Sequence, residues 1–485
     1  MLQKTYLRSI LSLFSTLFFT VVCLFLLSIF KPASSFAISL ESFKPYPVPV
    51  PKDNPQTPEK IKLGKMLFFD PRLSGNGSLS CSTCHIPAAG FVSPTRLSLS
   101  FPSTMHWRAV DSVIDAAYLK YLFWDGRAGS LEQQALGPIG APFEMNMHLH
   151  YLTARLYEIP QYRKMFNEVF HTDLITPDMV AKAIASFERT IVVTQTPFYN
   201  YVDGDKNALS KQELAGFRLF TGKAGCIRCH YGPFFTDNGF HALGVPELHL
   251  TGEDKKLNAS ARHYFAYGAG IKNYNTINRD MGRYFITHKE SDMDKFGTPS
   301  LIDVVGPYYM HNGSIEGLLN VVKFFNEGGG TDVPNKSKML HPLHLTLTEE
   351  KELVAFLRSL NGPAFVISQP ELPPYSASGV SEETMSAVSG SPVSMGMELI
   401  KSQDCLTCHS INGVGGKMSV DLSDKGIREH SISWLETQIA TPGKHFKPGD
   451  HEVLLGKLVY NVMPDHKLLT KEQLRYIAVY LKSLK

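Results

Sequence analysis

The sequence predicts an all-α protein of three small helical units, and two observations carry that prediction. A five-residue run of the form Cys-x-x-Cys-His occurs three times, as Cys81-Ser82-Thr83-Cys84-His85, Cys226-Ile227-Arg228-Cys229-His230 and Cys405-Leu406-Thr407-Cys408-His409. The flanks of the run also repeat: Gly64-Lys65-Met66-Leu67-Phe68, Gly216-Phe217-Arg218-Leu219-Phe220 and Gly396-Met397-Glu398-Leu399-Ile400 precede the three copies. A threonine followed by early acids then opens a closing helix in each unit. Strand signals are few.

In such a run the two thiols can add across the vinyl groups of one haem, and the adjacent imidazole falls within bonding reach of the iron. Three runs consume six of the seven cysteines, which implies three c-type haems. Cys81, Cys84, Cys226, Cys229, Cys405 and Cys408 are the attachment residues, and His85, His230 and His409 are the iron ligands. A structural zinc site needs its thiolates in pairs of pairs. Here each pair stands alone, about 145 to 180 residues from the next, with its own histidine. A chain of 485 residues is also too long and too poor in cysteine for a disulfide scaffold. Each unit is therefore expected to be a cytochrome c-like domain around one covalently bound haem.

Residues 1–37 read as an export signal. Lys4 and Arg8 precede an apolar run from about Ile10 to Phe30, and Ser35-Phe36-Ala37 is small at both positions a signal peptidase reads. The run is about long enough to span a bilayer, so an uncleaved N-terminal membrane anchor is the second reading. Both place the remainder in the periplasm, where covalent haem attachment takes place. The formal charge of +3 is accounted for by Lys4, Arg8 and Lys31, because no acid precedes Glu41. The balanced remainder gives no argument for nucleic acid.

Pro45 to Pro58 reads as an extended arm. A helix is expected from Lys60, with Ile61, Leu63, Met66 and Leu67 at helical spacing, ending before Asp70-Pro71. The first unit runs over 38–205 and closes with a helix opened by Thr176-Pro177-Asp178. The second occupies 206–362, its closing helix read as starting at Thr348-Glu349-Glu350. Pro, Ser, Gly and Glu without periodicity make 363–392 a flexible tether. The third unit, 393–485, closes with a helix from Thr470-Lys471-Glu472.

A haem with two strong protein ligands shuttles electrons, whereas one with a vacant face can activate a small molecule. Met463-Pro464 lies 54 residues after His409, before the last helix, where small cytochromes supply a methionine ligand. The third haem is thus expected to be closed by His409 and Met463 and to receive electrons.

The first two units resemble the bacterial di-haem cytochrome c peroxidases, over about residues 55 to 362. The resemblance rests on Phe123-Trp124-Asp125-Gly126-Arg127-Ala128, Glu132-Gln133-Gln134-Ala135, Phe143-Glu144-Met145-Asn146, Asp280-Met281-Gly282-Arg283, Phe296-Gly297-Thr298-Pro299 and Gly306-Pro307-Tyr308-Tyr309-Met310-His311. These motifs mark a superfamily that also contains the methylamine dehydrogenase maturation enzyme MauG. By position, the resemblance implies Glu144 as the distal acid over the first haem, Gln134 as its amide neighbour, Trp124 as an electron bridge and Arg127 as a propionate anchor. Peroxide heterolysis independently wants a group that takes a proton from one oxygen and returns it to the other. The apolar neighbours Pro142, Phe143 and Met145 suggest a raised pKa for Glu144.

Three positions depart from the family pattern. The second-haem methionine or tyrosine is replaced by Phe325, which leaves Met281, Met310, Met339 or a nearby histidine as substitutes, or else a five-coordinate second haem. Only His106 could fill the part of the resting ligand of the first haem, and its short loop reads rather as solvated. Ala109 replaces the asparagine expected to help hold a calcium ion between the first two haems, although Thr298 could contribute.

The reading is a periplasmic tri-haem peroxidase that reduces hydrogen peroxide to water, its third domain replacing the separate cytochrome that di-haem enzymes need. Its electron donor would be a small cytochrome c, a cupredoxin or a quinol, and, since such relatives are often dimers, a homodimer is implied. One rival is a MauG-like oxidase acting on a protein substrate; the other is a plain multihaem electron carrier with every iron closed.

Overall fold

The computed structural model describes residues 39–101, 104–331, 333–374, 392–402, 405, 409–412, 414–415, 421–441, 451–454, 457–460 and 469–484. The presequence, Cys408 and Met463 lie outside the described residues. Met1–Ser42 and Phe43–Lys485 form separate compact units. The first contributes only the start of a single-turn helix to the description.

The larger unit is helical. Its ladders among the described residues are antiparallel pairs of two or four residues, such as Phe240↔Gly297 and His241↔Phe296. Helix α1, Pro58–Phe69, starts at Thr57, whose hydroxyl accepts from Lys60 N, and stops at Asp70 before Pro71, as its sequence predicts. Then come α2, Leu131–Gly140, and α3, Pro177–Glu188, capped by Thr176. Helix α4 is Lys211–Thr221 and α5 is Gly252–Gly268. They are followed by α6, Leu318–Asn326, and α7, Leu347–Arg358. The cap of α7 is Thr346 rather than Thr348: its hydroxyl accepts from Glu349 N while the Glu349 carboxylate reaches back to Thr346 N. Helices α8, Pro392–Ser402, α9, Ile432–Ala440, and α10, Lys471–Ser483, capped by Thr470, belong to the third segment.

The repeated glycine has a packing explanation. Helix α1 crosses α3 at Gly64, α4 crosses α7 at Gly216, and α8 crosses α10 at Gly396. A methyl group added there would stand 1.8 Å from Ala183 O, 2.0 Å from Glu352 O and 2.1 Å from Tyr476 O, respectively. Only glycine lets the two backbones come this close. The same crossing thus recurs once in each of the three segments read from the repeats.

Beneath the crossings lie three apolar cores. Phe68, Phe91 and Phe187 pack around α1 and α3. Phe198, Phe217, Phe220, Phe235 and Phe356 form an aromatic cluster around α4 and α7, which Phe43 joins by stacking on Phe235 at 5.2 Å. The helix carrying Phe198, Pro197–Val202, therefore packs into the core of the segment that follows it. In the third segment, Ile400, Leu435, Ile439, Leu474, Ile477 and Leu481 close together.

Candidate active site

Cys81 and Cys84 occupy one short helical turn, and His85 caps it. All three line a cavity that also takes in Trp124, Arg127, Gln134, Glu144, His106, Arg108, Asp111 and Glu188. The cavity residues fit a c-type haem. The thiols of Cys81 and Cys84 are unpaired, and His85 Nδ1 lies 3.2 Å from Phe91 O. A hydrogen bond donated there leaves Nε2 as the free ligand nitrogen. Burial also holds the His85 imidazole below its ordinary pKa, in the neutral form a metal requires. The second motif repeats the device: Cys226 and Cys229 are free, and His230 Nδ1 lies 2.7 Å from Phe235 O. In the third, His409 N bonds back to Cys405 O at 3.0 Å.

Trp124 sits on a tight loop. Phe123 and Gly126 both take positive φ, and Gly126 N closes the turn on Phe123 O at 2.9 Å. The indole N–H donates to Ala109 O at 2.9 Å. The second segment grips this loop: Gly297 N donates to Trp124 O at 2.8 Å, and Arg283 Nη1 donates to Asp125 O and Gly126 O at 2.7 and 2.8 Å. A methyl at Gly126 would meet the Phe240 ring at 2.3 Å. Several of the separate motifs that carry the resemblance thus converge on one loop between the first two haem motifs.

Glu144 follows α2 in a turn held by Glu144 N to Ala141 O and Phe101 N to Glu144 O, both 3.0 Å. Its Oε1 is 3.4 Å from His106 Nε2 and 3.8 Å from Arg127 Nη2. Burial pushes the carboxyl up. The close approach of His106 and the positive charges of Arg127 and Arg108 outweigh it, so Glu144 is held below its ordinary range. This corrects the raised pKa suggested by its sequence neighbours, because the deciding charges come from other segments. Arg127 has its guanidinium 3.1 Å from both Asp125 oxygens and lies over the Phe123 ring.

His106 is not a solvated loop residue. Its backbone N donates to Ser98 O at 2.9 Å, beside the ladder pairing Leu99 with Met105, and its ring points into the haem cavity. Nδ1 stands 2.7 Å from Arg108 O, which directs Nε2 at Glu144. Arg108 escaped the sequence reading altogether. It is 3% exposed, bonds both Asp280 oxygens at 2.6 and 2.8 Å and Asp125 at 2.5 Å, and lies over the Trp107 ring. An arginine inside the run Trp107-Arg108-Ala109-Val110 is a weak signal of burial, but its partner Asp280 is 172 residues away. Two more acids face the cavity: burial pushes Asp111 up to about 7 and Glu188 up to about 8.

Around the second haem motif, Phe325 contacts Phe324 edge-on at 5.3 Å and offers no ligand atom. Met281 packs against the cluster of Trp107, Ala261 and Phe285, and Met310 holds a positive φ beside His311. His311 is buried, stacked on Phe296 at 3.5 Å, and kept neutral by burial, its pKa lowered to about 4. At the two positions the resemblance links to a calcium ion, each backbone carbonyl accepts one hydrogen bond. Ala109 O takes the Trp124 N–H and Thr298 O accepts from the Thr236 hydroxyl.

A family model described as di-haem cytochrome c peroxidase matches residues 58–207. Cytochrome-c peroxidase IdrP1 of Denitromonas iodatirespirans is 42% identical over 333 residues, 67% of this chain and 88% of its own. Methylamine utilization protein MauG of Methylophilus methylotrophus is 38% identical over 338 residues, 69% of this chain and 92% of its own. The crystal structure of a MauG-like protein associated with microbial copper homeostasis superposes with a TM-score of 0.56 at 28% identity, covering 66% of this chain and 94% of that one. The chain therefore belongs to the family of di-haem cytochrome c peroxidases and MauG, and is an oxidoreductase of the cytochrome c peroxidase type.

Proposed function

We propose that this protein is a periplasmic tri-haem peroxidase that reduces hydrogen peroxide to two waters with two electrons and two protons. The observation that supports it best is Glu144: a carboxylate held below its ordinary pKa range in the cavity of His85, Cys81 and Cys84, which Gln134 also lines. A haem held there by His85, Cys81 and Cys84 supplies an iron that binds peroxide and changes oxidation state.

The chain's own residues then have distinct tasks. Glu144, as a carboxylate, takes a proton from the near oxygen of peroxide and returns it to the leaving oxygen. His106 and Arg127 flank its Oε1 and fix where that proton is held. The Gln134 amide offers both a donor and an acceptor to the same oxygens. Arg127 offers the remainder of its fork to a propionate. Trp124, tied to Ala109 on one side and to Gly297 on the other, bridges the first and second units for electrons. His409 and Met463 of the third unit hold the entry point, fed by a small cytochrome c, a cupredoxin or a quinol.

Glu144→Gln tests this reading. With reduced cytochrome c as donor, peroxide turnover is expected to drop about a hundredfold at unchanged haem content. A rate equal to that of the parent removes Glu144 from the mechanism. A MauG-like oxidation of a partner protein is the second reading, favoured by Phe325 at the ligand position of the second haem. Steady multiple turnover with reduced cytochrome c decides for the first.

A further inference from the structure

The haem cavity adjoins a second cavity of about 430 Å³ at His106, Arg127 and Glu144, the three residues that line both. Elsewhere its walls are mainly apolar. Trp107, Phe143, Tyr264, Phe265 and Phe285 present their rings to it. The rings support one another, with Trp107 and Phe265 at 5.1 Å, Phe265 and Phe285 at 5.5 Å, and Phe143 and Tyr264 at 5.5 Å. Helix α5 supplies Tyr264 and Phe265, so the space is walled by both of the first two segments. Tyr264, 48% exposed, and Ile286, 37% exposed, mark where it meets solvent. The volume lies within the range of small-molecule sites.

The inner end selects among flat ligands. Glu144 and Arg127 stand 3.8 Å apart and offset one another, so a carboxylate or an ammonium gains little net attraction there and still loses its hydration. A neutral hydroxyl has less hydration to lose. It can donate to the Glu144 carboxylate, and it stands beside His106 Nε2, a buried nitrogen without a well-formed hydrogen bond. We propose that this cavity binds a one-ring phenol or hydroquinone, hydroxyl inward and ring among the aromatic side chains, as a small-molecule reductant for the peroxide reaction. The proposal rests on the peroxidase reading above. The reaction balances without another reagent: hydroquinone loses two electrons and its two hydroxyl protons to become quinone, and hydrogen peroxide takes up both pairs to become two waters.

The haem-loaded full chain serves for the test, with phenol as binding probe and 1,4-hydroquinone as reductant. Gly268 lines the cavity, and a side chain begun there meets no heavy atom within 4 Å, so Gly268→Phe narrows the space without a clash at its root. Calorimetric titration of the ferric protein with phenol, without peroxide, is expected to show one saturable site, weakened about tenfold or more in Gly268→Phe. Hydroquinone-driven turnover should saturate, its KM rising by the same factor and its ratio to cytochrome c-driven turnover falling likewise. Should Gly268→Phe lose haem or melt early, Ile286→Trp at the rim carries the same expectation. Turnover with cytochrome c but neither phenol binding nor saturable hydroquinone oxidation overturns the proposal and leaves the peroxidase reading standing. Saturable phenol binding with no turnover from either donor overturns the peroxidase reading instead, and the reductant role with it. Hydroquinone oxidation indifferent to both substitutions places it on the surface and also overturns the proposal.

Discussion

Replacing Gly216 by alanine gives a measure of how much the helix crossings contribute. The new methyl would lie 2.0 Å from Glu352 O and 2.7 Å from Phe356 Cβ, whereas ordinary contact begins at 3.4 Å. Helices α4 and α7 must therefore separate by more than an ångström, loosening Phe356 from Phe217 and Phe220, now 5.3 and 5.0 Å away centre to centre. Overpacking of this kind costs about 3 kcal/mol, against which alanine recovers about 1 kcal/mol of helix propensity. The net loss is about 2 kcal/mol. For a unit of this size that lowers the melting midpoint by roughly 4–8 °C. Differential scanning calorimetry of the haem-loaded full chain reads the shift, and Gly64→Ala and Gly396→Ala should behave alike. Gly140→Ala, whose methyl meets nothing within 4 Å at the end of α2, is the control and should be neutral or slightly stabilising. If all three crossing variants melt within about 1 °C of the parent, the close approach of these helices is not what holds the units together.

Three further outcomes follow from the site. Arg108→Met strands Asp280 as a buried carboxylate, leaves Asp125 with Arg127 as its guanidinium partner, and should cost about 3–5 kcal/mol, much of it recovered by adding Asp280→Asn; equal losses for the single and double variants would refute the charge argument. Burial raises Asp115 to about 7 and Glu188 to about 8, so the fold holds protons that the unfolded chain releases near pH 4. Stability is therefore expected to fall as pH rises from about 4 to 8, and Asp115→Asn with Glu188→Gln should flatten that slope in urea titrations; a double variant with the parent's slope sinks the assignment. Trp124→Phe removes one hydrogen bond to Ala109, worth about 1 kcal/mol, yet should slow cytochrome c-driven turnover at least about tenfold if the indole carries electrons. A turnover loss no larger than the stability loss explains would leave Trp124 as packing.

Much of this was legible in the chain. The repeated Gly64, Gly216 and Gly396 do mark three equivalent helix crossings, and the motifs around Trp124, Gln134 and Glu144 do meet in one cavity. What sequence could not supply was long-range partnership. Pro142 and Phe143 made the Glu144 setting look apolar, because nothing near it in the chain foretells His106, Arg127 and Arg108. His106 read as solvated since its short loop gave no hint that Arg108 O would turn the ring inward. Helix α5, with acids in its first turn and only weak periodicity, stayed unread although it walls the second cavity. At Thr346 the miss was local: two threonines stood within reach of the helix start, and only one has Glu three residues on.

The Arg108 clamp bears on how the molecule can be taken apart. His106 and Arg108 belong to one strap of chain, yet the strap is anchored to Asp280, which lies beyond the second haem motif. A fragment ending before the second motif would keep Glu144, His106 and Asp125 but lose Asp280, so Arg108 would hold the strap by one carboxylate instead of two. The half that carries Glu144 is thus not a portable cassette, and engineering it onto another scaffold means carrying the second half along.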